Sequence, residues 1–409
     1  MDQEEKSVEG EDHLERLAAM ALKNKSHYQE NYQGTQNWAN LPEDILGKIM
    51  RTLKFSERLC MTATCKGWRI PVYGVNNPLH LDGLPWLFMH PHFVESDKLN
   101  QFKLYEPGNP KPYFIGKDII NKGGNKLLGA RVFSSKFGWV VFRKCLMTSA
   151  TWSFFLYSPF AENIIQLPDL VESSMGYALF TFSNIPSAHD CIFFLLHQRS
   201  VKEAHLYTYR NGEREWKSCD CDISLFGCTH RHGVLKNIKT SKNIVYLDGT
   251  LYCMFSCGDN HTLATLNVSE QKWSLKTSSV ISADGTGARL MLLESEKGLF
   301  VLYKTFLNES KCHIFKYDCS ELITIRSLED HIFFVDGHSA FSIEALGEVK
   351  REFCNRIYYK FNNDKSPLSY FSIKDDQVHQ DSIIYVSNSP LGARWDNYIH
   401  FLDVSRLAK

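Results

Sequence analysis

The segment Leu206-Tyr207-Thr208-Tyr209-Arg210, followed after a polar turn by Trp216, is the pattern that decides the fold of most of this chain. Three other segments share it: an apolar strand, a polar turn and a further large apolar residue. They are Phe155-Leu156-Tyr157-Ser158 with Ile164, Ala264-Thr265-Leu266-Asn267 with Trp273, and Ile314-Phe315-Lys316-Tyr317-Asp318 with Ile325. The equivalent positions Tyr157, Tyr209, Leu266 and Tyr317 are 52, 57 and 51 residues apart. This spacing predicts a structural repeat of about fifty residues.

A second series of apolar strands lies between these segments. Its members are Gly138-Trp139-Val140-Val141-Phe142, Cys191-Ile192-Phe193-Phe194-Leu195, Gly249-Thr250-Leu251-Tyr252-Cys253, Gly298-Leu299-Phe300-Val301-Leu302 and Arg356-Ile357-Tyr358-Tyr359. A period of about fifty residues is the size of one four-stranded blade of the kelch type. We therefore expect a mainly β protein whose body is a β-propeller-like domain of about six irregular blades. A pair of β-sandwiches is the competing arrangement, but it would not require the matched spacing.

The composition indicates a folded protein whose partner is another protein. Hydrophobic residues make up 44% of the 409 residues and aromatic residues 13%, which is typical of a globular chain rich in strands. Lys plus Arg and Asp plus Glu number 46 each, so no overall charge would attract nucleic acid or an anionic membrane. A protein partner is the better expectation.

The acidic start, the short apolar runs and the cysteines indicate an intracellular location. The start, Met-Asp-Gln-Glu-Glu, is acidic and unlike a signal peptide, and apolar runs such as 191–196 are too short to span a bilayer. Cys145, Cys191 and Cys253 lie in apolar runs, which is typical of reduced, buried thiols. We expect a soluble protein of the nucleus, the cytoplasm or both, with no disulfide framework.

A helix is predicted over residues 40–53. Asn40 can cap the free amides, Pro42 suits the first turn, and Glu43 with Asp44 complements the positive helix end. Its apolar face consists of Ile45, Leu46, Ile49, Met50 and Leu53. A second short helix is predicted after Ser56, and a third turn at 65–69 ends before Pro71. Three short helices cannot bury all of their apolar surface, so the following domain or another protein must cover part of it.

The two ends of this helical segment resemble an F-box. Leu41-Pro42-Glu43-Asp44-Ile45-Leu46 is similar to the start of the F-box consensus, and Cys65-Lys66-Gly67-Trp68-Arg69 is similar to its end. The resemblance implies that this domain binds the Skp adaptor of a ubiquitin ligase. The implied adaptor-binding residues are Leu41, Pro42, Ile45, Leu46, Ile49, Leu53 and Trp68.

The body is similar to the kelch-like C-terminal domain of plant F-box proteins. The similarity lies in Gly138-Trp139-Val140-Val141, in 156–168, in 336–342 and in Asn355-Arg356-Ile357-Tyr358-Tyr359. It implies a substrate receptor of an SCF-type ligase, connected through the Skp adaptor to a cullin-RING ligase. We expect three regions: a polar, partly disordered tail at 1–37, an F-box at 38–72 and a kelch-like β-propeller for substrate recognition at 73–409.

Catalytic and metal motifs are weak in this sequence. Cys219, Cys221, Cys228, His230 and His232 lie close together, but gaps of one residue place two side chains on the same face of a strand rather than in a zinc knuckle. The basic segment Lys122-Gly123-Gly124-Asn125-Lys126 lacks the spacing of a phosphate-binding loop and is interpreted as a surface turn. His331 and His338 are interpreted as core or solvated histidines. We therefore predict no catalytic residue, no metal and no cofactor.

Two alternatives to a ligase subunit remain open. The first is a propeller that acts on, or binds, a sugar or another small molecule, with N-terminal helices that pack on its own body. The second is an F-box protein that acts outside a ligase as a scaffold. The sequence does not indicate the target protein, because loop composition at the ends of a propeller carries no diagnostic chemistry here.

Overall fold

The protein is described by a computed structural model, and in its described residues strands dominate and two short helices occur. The described residues are 41–53, 84–91, 102–108, 112–115, 126–146, 149–161, 163–172, 177–200, 203–222, 239–240, 243–257, 260–282, 289–304, 312–318, 321–360, 368–381 and 397–403. The chain divides into two compact units, residues 1–77 and 78–409. Helix α1, Glu43–Thr52, belongs to the first unit.

The second unit begins with three sheets, numbered in chain order. The first sheet contains strands β1 Trp86–Pro91, β2 Phe102–Tyr105 and β3 Tyr113–Ile115, together with the last strand of the chain, β27 Asn397–Leu402. The second contains β4 Arg131–Lys136, β5 Trp139–Leu146, β6 Thr151–Ser158, β7 Asn163–Gln166 and β8 Leu170–Val171. The third contains β9 Tyr177–Phe182, β10 Ile192–Gln198, β11 Glu203–Arg210 and β12 Lys217–Asp222.

Three further sheets complete the described part of this unit. The fourth contains β13 Lys239–Thr240, β14 Val245–Leu247, β15 Thr250–Cys257, β16 Asn260–Asn267 and β17 Lys272–Ser282. The fifth contains β18 Arg289–Ser295, β19 Gly298–Lys304, β20 Cys312–Asp318 and β21 Glu321–Thr324. The sixth contains β22 His331–Val335, β23 Ala340–Glu344, β24 Arg356–Tyr359, β25 Ser369–Ser372 and β26 Gln377–Gln380. The fifth and sixth sheets meet at one parallel pairing, Glu294 with Phe341.

The repeat seen in the sequence corresponds to equivalent strands of successive sheets. Tyr157, Tyr209, Leu266 and Tyr317 lie in β6, β11, β16 and β20, each the third main strand of its sheet. The second series lies in β5, β10, β15, β19 and β24. The sequence-based expectation of a mainly β, propeller-like body is therefore confirmed.

Tight hairpins explain the glycines that precede the second series. Phe137 and Gly138 join β4 to β5 with φ angles of 52° and 76°, and Asp248 and Gly249 join β14 to β15 with φ angles of 47° and 78°. Two consecutive positive φ angles are typical of the two-residue turn that matches the twist of a hairpin. Glycine adopts this conformation without a steric penalty.

Pairs of aromatic side chains pack in the seams between neighbouring sheets. Successive pairs join successive sheets along the chain. Ring centroids are 5.8 Å apart for Phe102 and Phe142, 5.7 Å for Phe154 and Phe180, 4.9 Å for Phe194 and Tyr246, 5.9 Å for Tyr252 and Tyr317, 5.2 Å for Phe300 and Phe333, and 5.3 Å for Phe334 and Phe401. The last pair joins the sixth sheet to the first. Because each sheet packs on both neighbours, the six sheets form the closed ring of a propeller.

The sixth sheet differs from the regular pattern. Helix α2, Gly347–Phe353, connects β23 to β24, and β24 then pairs in parallel with β22 instead of continuing the antiparallel order. The sheet therefore has the order β23-β22-β24-β25-β26.

Candidate protein-binding site

Helix α1 begins at Glu43, immediately after Pro42. The carbonyl oxygen of Pro42 accepts hydrogen bonds from the amides of Ile45 and Leu46, each at 3.0 Å. Pro42 therefore precedes the helix instead of lying in its first turn, and the helix spans Glu43–Thr52 rather than the predicted 40–53. Asn40, the predicted cap, lies outside the described residues.

The apolar residues of α1 divide into a buried and an exposed set. Leu46 is 2% exposed, whereas Ile45 is 39% and Ile49 is 37% exposed. Residues four positions apart lie on one stripe of a helix, so Ile45 and Ile49 form a continuous apolar surface. Of the other predicted site residues, Pro42 is exposed and Leu41 and Leu53 are half-buried. Trp68 and the two predicted helices after Ser56 lie outside the described residues.

A buried carboxylate connects the second sheet to the third. Oε2 of Glu172 accepts hydrogen bonds from Nη2 of Arg199 at 2.5 Å and from the hydroxyl of Tyr207 at 2.7 Å. Nδ1 of His197 lies 4.0 Å from the same oxygen. Burial alone would raise the pKa of Glu172, but the bonds from Arg199 and Tyr207 outweigh it and lower that pKa. Burial lowers the pKa of His197.

A second buried carboxylate lies where the ring closes. Oδ1 of Asp336 accepts from the amides of His338 at 2.8 Å and Ser339 at 2.9 Å, and Oδ2 accepts from the Ser339 hydroxyl at 2.7 Å. Nδ1 of His400 in β27 lies 3.3 Å from Oδ2. Burial alone would raise the pKa of Asp336, but the charge of His400 and these hydrogen bonds outweigh it, so the pKa lies below its usual value.

Two imidazoles flank His400 at this closure. The ring of His90 in β1 stacks on that of His400 at 5.2 Å between centroids and an angle of 12°, and the ring of His338 lies 5.8 Å away. His331, at the start of β22, is buried and His338 is half-buried. Both positions agree with the interpretation of these two histidines as parts of the packed structure.

Polar contacts also join the innermost strands of distant sheets. Nζ of Lys136 in β4 lies 2.7 Å from Oε2 of Glu294 in β18, with both side chains less than one fifth exposed. The hydroxyls of Ser135 and Ser339 are 2.9 Å apart. Side chains of the second sheet therefore contact the fifth sheet through Lys136 and the sixth sheet through Ser135.

The cysteine and histidine residues near 220 form part of an ordinary strand. Cys219 and Cys221 lie in β12, and the thiol of Cys219, half-buried, donates to the carbonyl oxygen of Asp220 at 3.6 Å. Cys228, His230 and His232 lie outside the described residues. Among the described residues, no group of three or more His, Cys, Asp or Glu side chains could hold a metal ion. Cys191 and Cys253 are buried as expected, whereas Cys145 is only half-buried.

The chemistry of the described clusters is mainly structural. Each carboxylate described above is already held by cations or hydrogen-bond donors of the same chain, an arrangement that fixes sheets relative to one another. Sequence reasoning missed Glu172 and His400, because their partners lie in other sheets, and it missed the role of Asp336, which binds both the adjacent Ser339 and the distant His400. The sequence Asp336-Gly337-His338-Ser339 was a usable signal for a side-chain-stabilised turn.

No helix within the described ranges is long and apolar enough to cross a membrane.

Comparison with known proteins gives two family matches. The model described as KIB1-4 beta-propeller matches residues 113–385, about two thirds of the chain. The model described as F-box domain matches residues 38–70. The second match contains α1, and the first contains most of the sheets.

Similar curated proteins come from Arabidopsis thaliana. The F-box/kelch-repeat protein At1g57790 is 24% identical over 59% of this chain, and the match spans only 60% of that relative's length. The F-box protein At3g56470 is 24% identical over 83% of this chain and 84% of its own length. Among solved structures, AofleA from Arthrobotrys oligospora has a TM-score of 0.36 at 12% identity, covering 61% of this chain and 74% of that one. This likeness is too low to support a conclusion.

Proposed function

Because this chain belongs to the KIB1-4 beta-propeller family and also carries an F-box match, we propose that it is the substrate-recognition subunit of an SCF-type E3 ubiquitin ligase. The F-box unit binds the Skp adaptor and, through it, the cullin-RING ligase. The propeller binds a target protein for ubiquitination. No step of ubiquitin chemistry is assigned to this chain.

The observation that carries this proposal is the exposed stripe on α1. Ile45 and Ile49 lie inside the F-box match and are 39% and 37% exposed, while Leu46 between them is 2% exposed. Large apolar side chains on an exposed helix stripe are stabilised when a partner covers them. We assign the adaptor contact to Leu41, Pro42, Ile45, Ile49, Leu53 and Trp68, and we assign Leu46 the role of anchoring the helix.

A receptor without catalytic residues agrees with the buried charges of the propeller. Lys136 pairs with Glu294, Glu172 with Arg199, and Asp336 with Ser339 and His400. Charged side chains that are paired within the chain fix the sheets relative to one another rather than bind a substrate. We propose that the F-box spans about residues 38–72, that the propeller follows it, and that the protein acts in the nucleus, the cytoplasm or both.

The test is affinity purification followed by mass spectrometry, comparing the full chain with a variant lacking residues 38–72. We expect the Skp adaptor to disappear from the variant while target proteins accumulate on it. Adaptor that still co-purifies with the variant would contradict the assignment. Ubiquitylation of the captured target by the reconstituted complex separates a ligase subunit from a scaffold, which would bind the adaptor and the target without modifying the target.

A further inference from the structure

The chain has no net charge overall, but in one region every charged residue is basic. Residues 119–161 contain no Asp or Glu, although the whole chain has 46 acidic and 46 basic residues. The region carries Lys122, Lys126, Arg131, Lys136, Arg143 and Lys144. Lys136 is engaged by Glu294. Strands β4, β5 and β6 of the second sheet therefore carry only basic charged side chains, whereas β8 is flanked by the exposed Asp169 and by Glu172, which pairs with Arg199.

One end of the same sheet also exposes apolar side chains. Leu128 is 37%, Leu146 is 43% and Val171 is 75% exposed. The other large apolar residues exposed in the described part of the second unit are Phe114, Ile323, Leu346 and Val378, and each lies on a different strand or turn outside the second sheet. The concentration of three such residues at one edge is what marks this surface.

The strand register places these residues together. Leu146 is opposite Thr151, and Thr151 is opposite Val171, so the three side chains share one face at the end of the sheet. Leu128 precedes β4, which runs antiparallel to β5, so it lies at the same end. The rim therefore runs from Val171 in β8 through Thr151 in β6 to Leu146 in β5, with Leu128 in the turn before β4 at the same end of the sheet.

A lysine connects the apolar residues. Lys144 is two positions before Leu146 and so points to the same face of the sheet. A β-carbon built on Gly129 would lie 4.0 Å from Cε of Lys144, which places this side chain beside the turn that holds Leu128. Lys126, in the same turn, is exposed.

We propose that this surface, the second-sheet rim (Lys126, Leu128, Lys144, Leu146 and Val171), docks an acidic amphipathic segment of the target protein. The inference rests on the proposed function, because it names the recognition surface of the receptor. Carboxylates of such a segment would pair with Lys126 and Lys144, and a large apolar side chain would cover Val171. A purely acidic partner would leave the exposed Leu128, Leu146 and Val171 uncovered. A purely apolar partner would leave Lys126 and Lys144 beside them without an opposite charge.

The experiment selects peptides from a phage-displayed random dodecapeptide library with the full chain in complex with its Skp adaptor. We expect the selected peptides to be enriched in Asp and Glu together with a large apolar residue. The dissociation constant of one selected peptide is then measured by fluorescence polarisation. Val171→Asp, and the double variant Lys126→Glu with Lys144→Glu, should each weaken binding by about tenfold or more.

Matched control variants lie in the hairpin of β25 and β26. Lys374 is exposed and Val378 is 41% exposed, so Lys374→Glu and Val378→Asp make the same chemical changes away from the rim. These variants should bind the peptide within about twofold of the parent. Equal weakening by rim and control variants, selection of peptides without acidic residues, or selection of no peptide would overturn the proposal.

Adaptor binding separates this proposal from the proposed function. All four variants should retain the Skp adaptor, because they lie outside the F-box unit. A chain that selects acidic peptides at the rim but does not bind the adaptor would contradict the ligase role alone. A chain that binds the adaptor but fails the peptide experiment would contradict the rim alone.

Discussion

Asp336 and Phe401 are joined by a buried hydrogen bond across 65 residues of sequence: the amide of Phe401 donates to Oδ2 of Asp336 at 3.2 Å. Asp336 directly follows β22, at the start of the turn that leads to β23. Phe401 lies in β27, the strand that completes the first sheet. The carboxylate therefore fastens the end of the chain to the sixth sheet. We expect Asp336→Ala to lower the free energy of unfolding by about 3 kcal/mol, since its buried donors would lose their acceptor. Urea denaturation measures the change.

The control for this prediction is Asp318→Asn at the exposed end of β20. It should change the free energy of unfolding by less than about 0.5 kcal/mol. An Asp336→Ala variant as stable as the Asp318 control would show that the bond to β27 does not hold the ring closed.

The lowered pKa of Asp336 predicts a specific pH dependence. A carboxyl whose pKa is lower in the folded than in the unfolded chain stabilises the fold above its unfolded pKa, about 3.9, and this contribution is lost as pH falls through the folded pKa. The stability difference between the parent and Asp336→Asn should therefore shrink as the pH falls below about 4. Denaturation at each pH in both proteins measures it. A difference that grows on acidification would contradict the assigned direction.

The two faces of α1 predict opposite outcomes for neighbouring substitutions. Ile45→Asp or Ile49→Asp should weaken Skp adaptor binding by about thirtyfold or more, because a partly exposed apolar anchor at an interface contributes about 2 kcal/mol. Neither should lower the melting temperature of the propeller. Leu46→Ala should instead destabilise the first unit, since Leu46 is 2% exposed. Pull-down with purified adaptor and thermal unfolding distinguish these effects.

Ile323 provides the matched control, because it is an isoleucine with 49% exposure in the propeller strand β21. Ile323→Asp should leave adaptor binding unchanged. Comparable loss of binding in Ile323→Asp and Ile45→Asp would assign the effect to added charge rather than to the α1 stripe.

Local patterns predicted the repeated part of the fold. The spacing of Tyr157, Tyr209 and Tyr317 was sufficient to expect repeated sheets, because each repeat forms hydrogen bonds mainly within itself. The sixth sheet was harder to predict. Its parallel pairing of β22 with β24 depends on the crossover through α2, and no periodicity within those short segments indicates it.

The helical period predicted the apolar face of α1, but not which of its side chains the chain itself buries. The sequence placed Ile45, Leu46 and Ile49 on one apolar face, because a helical period of 3.6 residues gives a broad stripe. Which part of that stripe the chain itself covers depends on residues distant in sequence. In the structure Leu46 is 2% exposed, whereas Ile45 and Ile49 are 39% and 37% exposed, a difference that the helical period alone does not predict. The buried partners of Glu172 and Asp336 depended on distant residues in the same way.

The ion pair between Lys136 and Glu294 allows a test of the arrangement of the sheets. Its two atoms are 2.7 Å apart, and the residues belong to the second and fifth sheets, which share no aromatic seam described above. Lys136→Glu and Glu294→Lys should each lower the free energy of unfolding by about 1–3 kcal/mol, because each leaves two like charges adjacent in a mostly buried site. The double variant restores opposite charges, so it should recover most of the loss. The exposed pair Lys217 and Glu213, four residues apart in sequence, serves as the control, and the same exchange there should cost less than about 0.5 kcal/mol. If the double variant at 136 and 294 shows the sum of the single losses, the two side chains do not meet and the inner strands of the second and fifth sheets are farther apart than the structure places them.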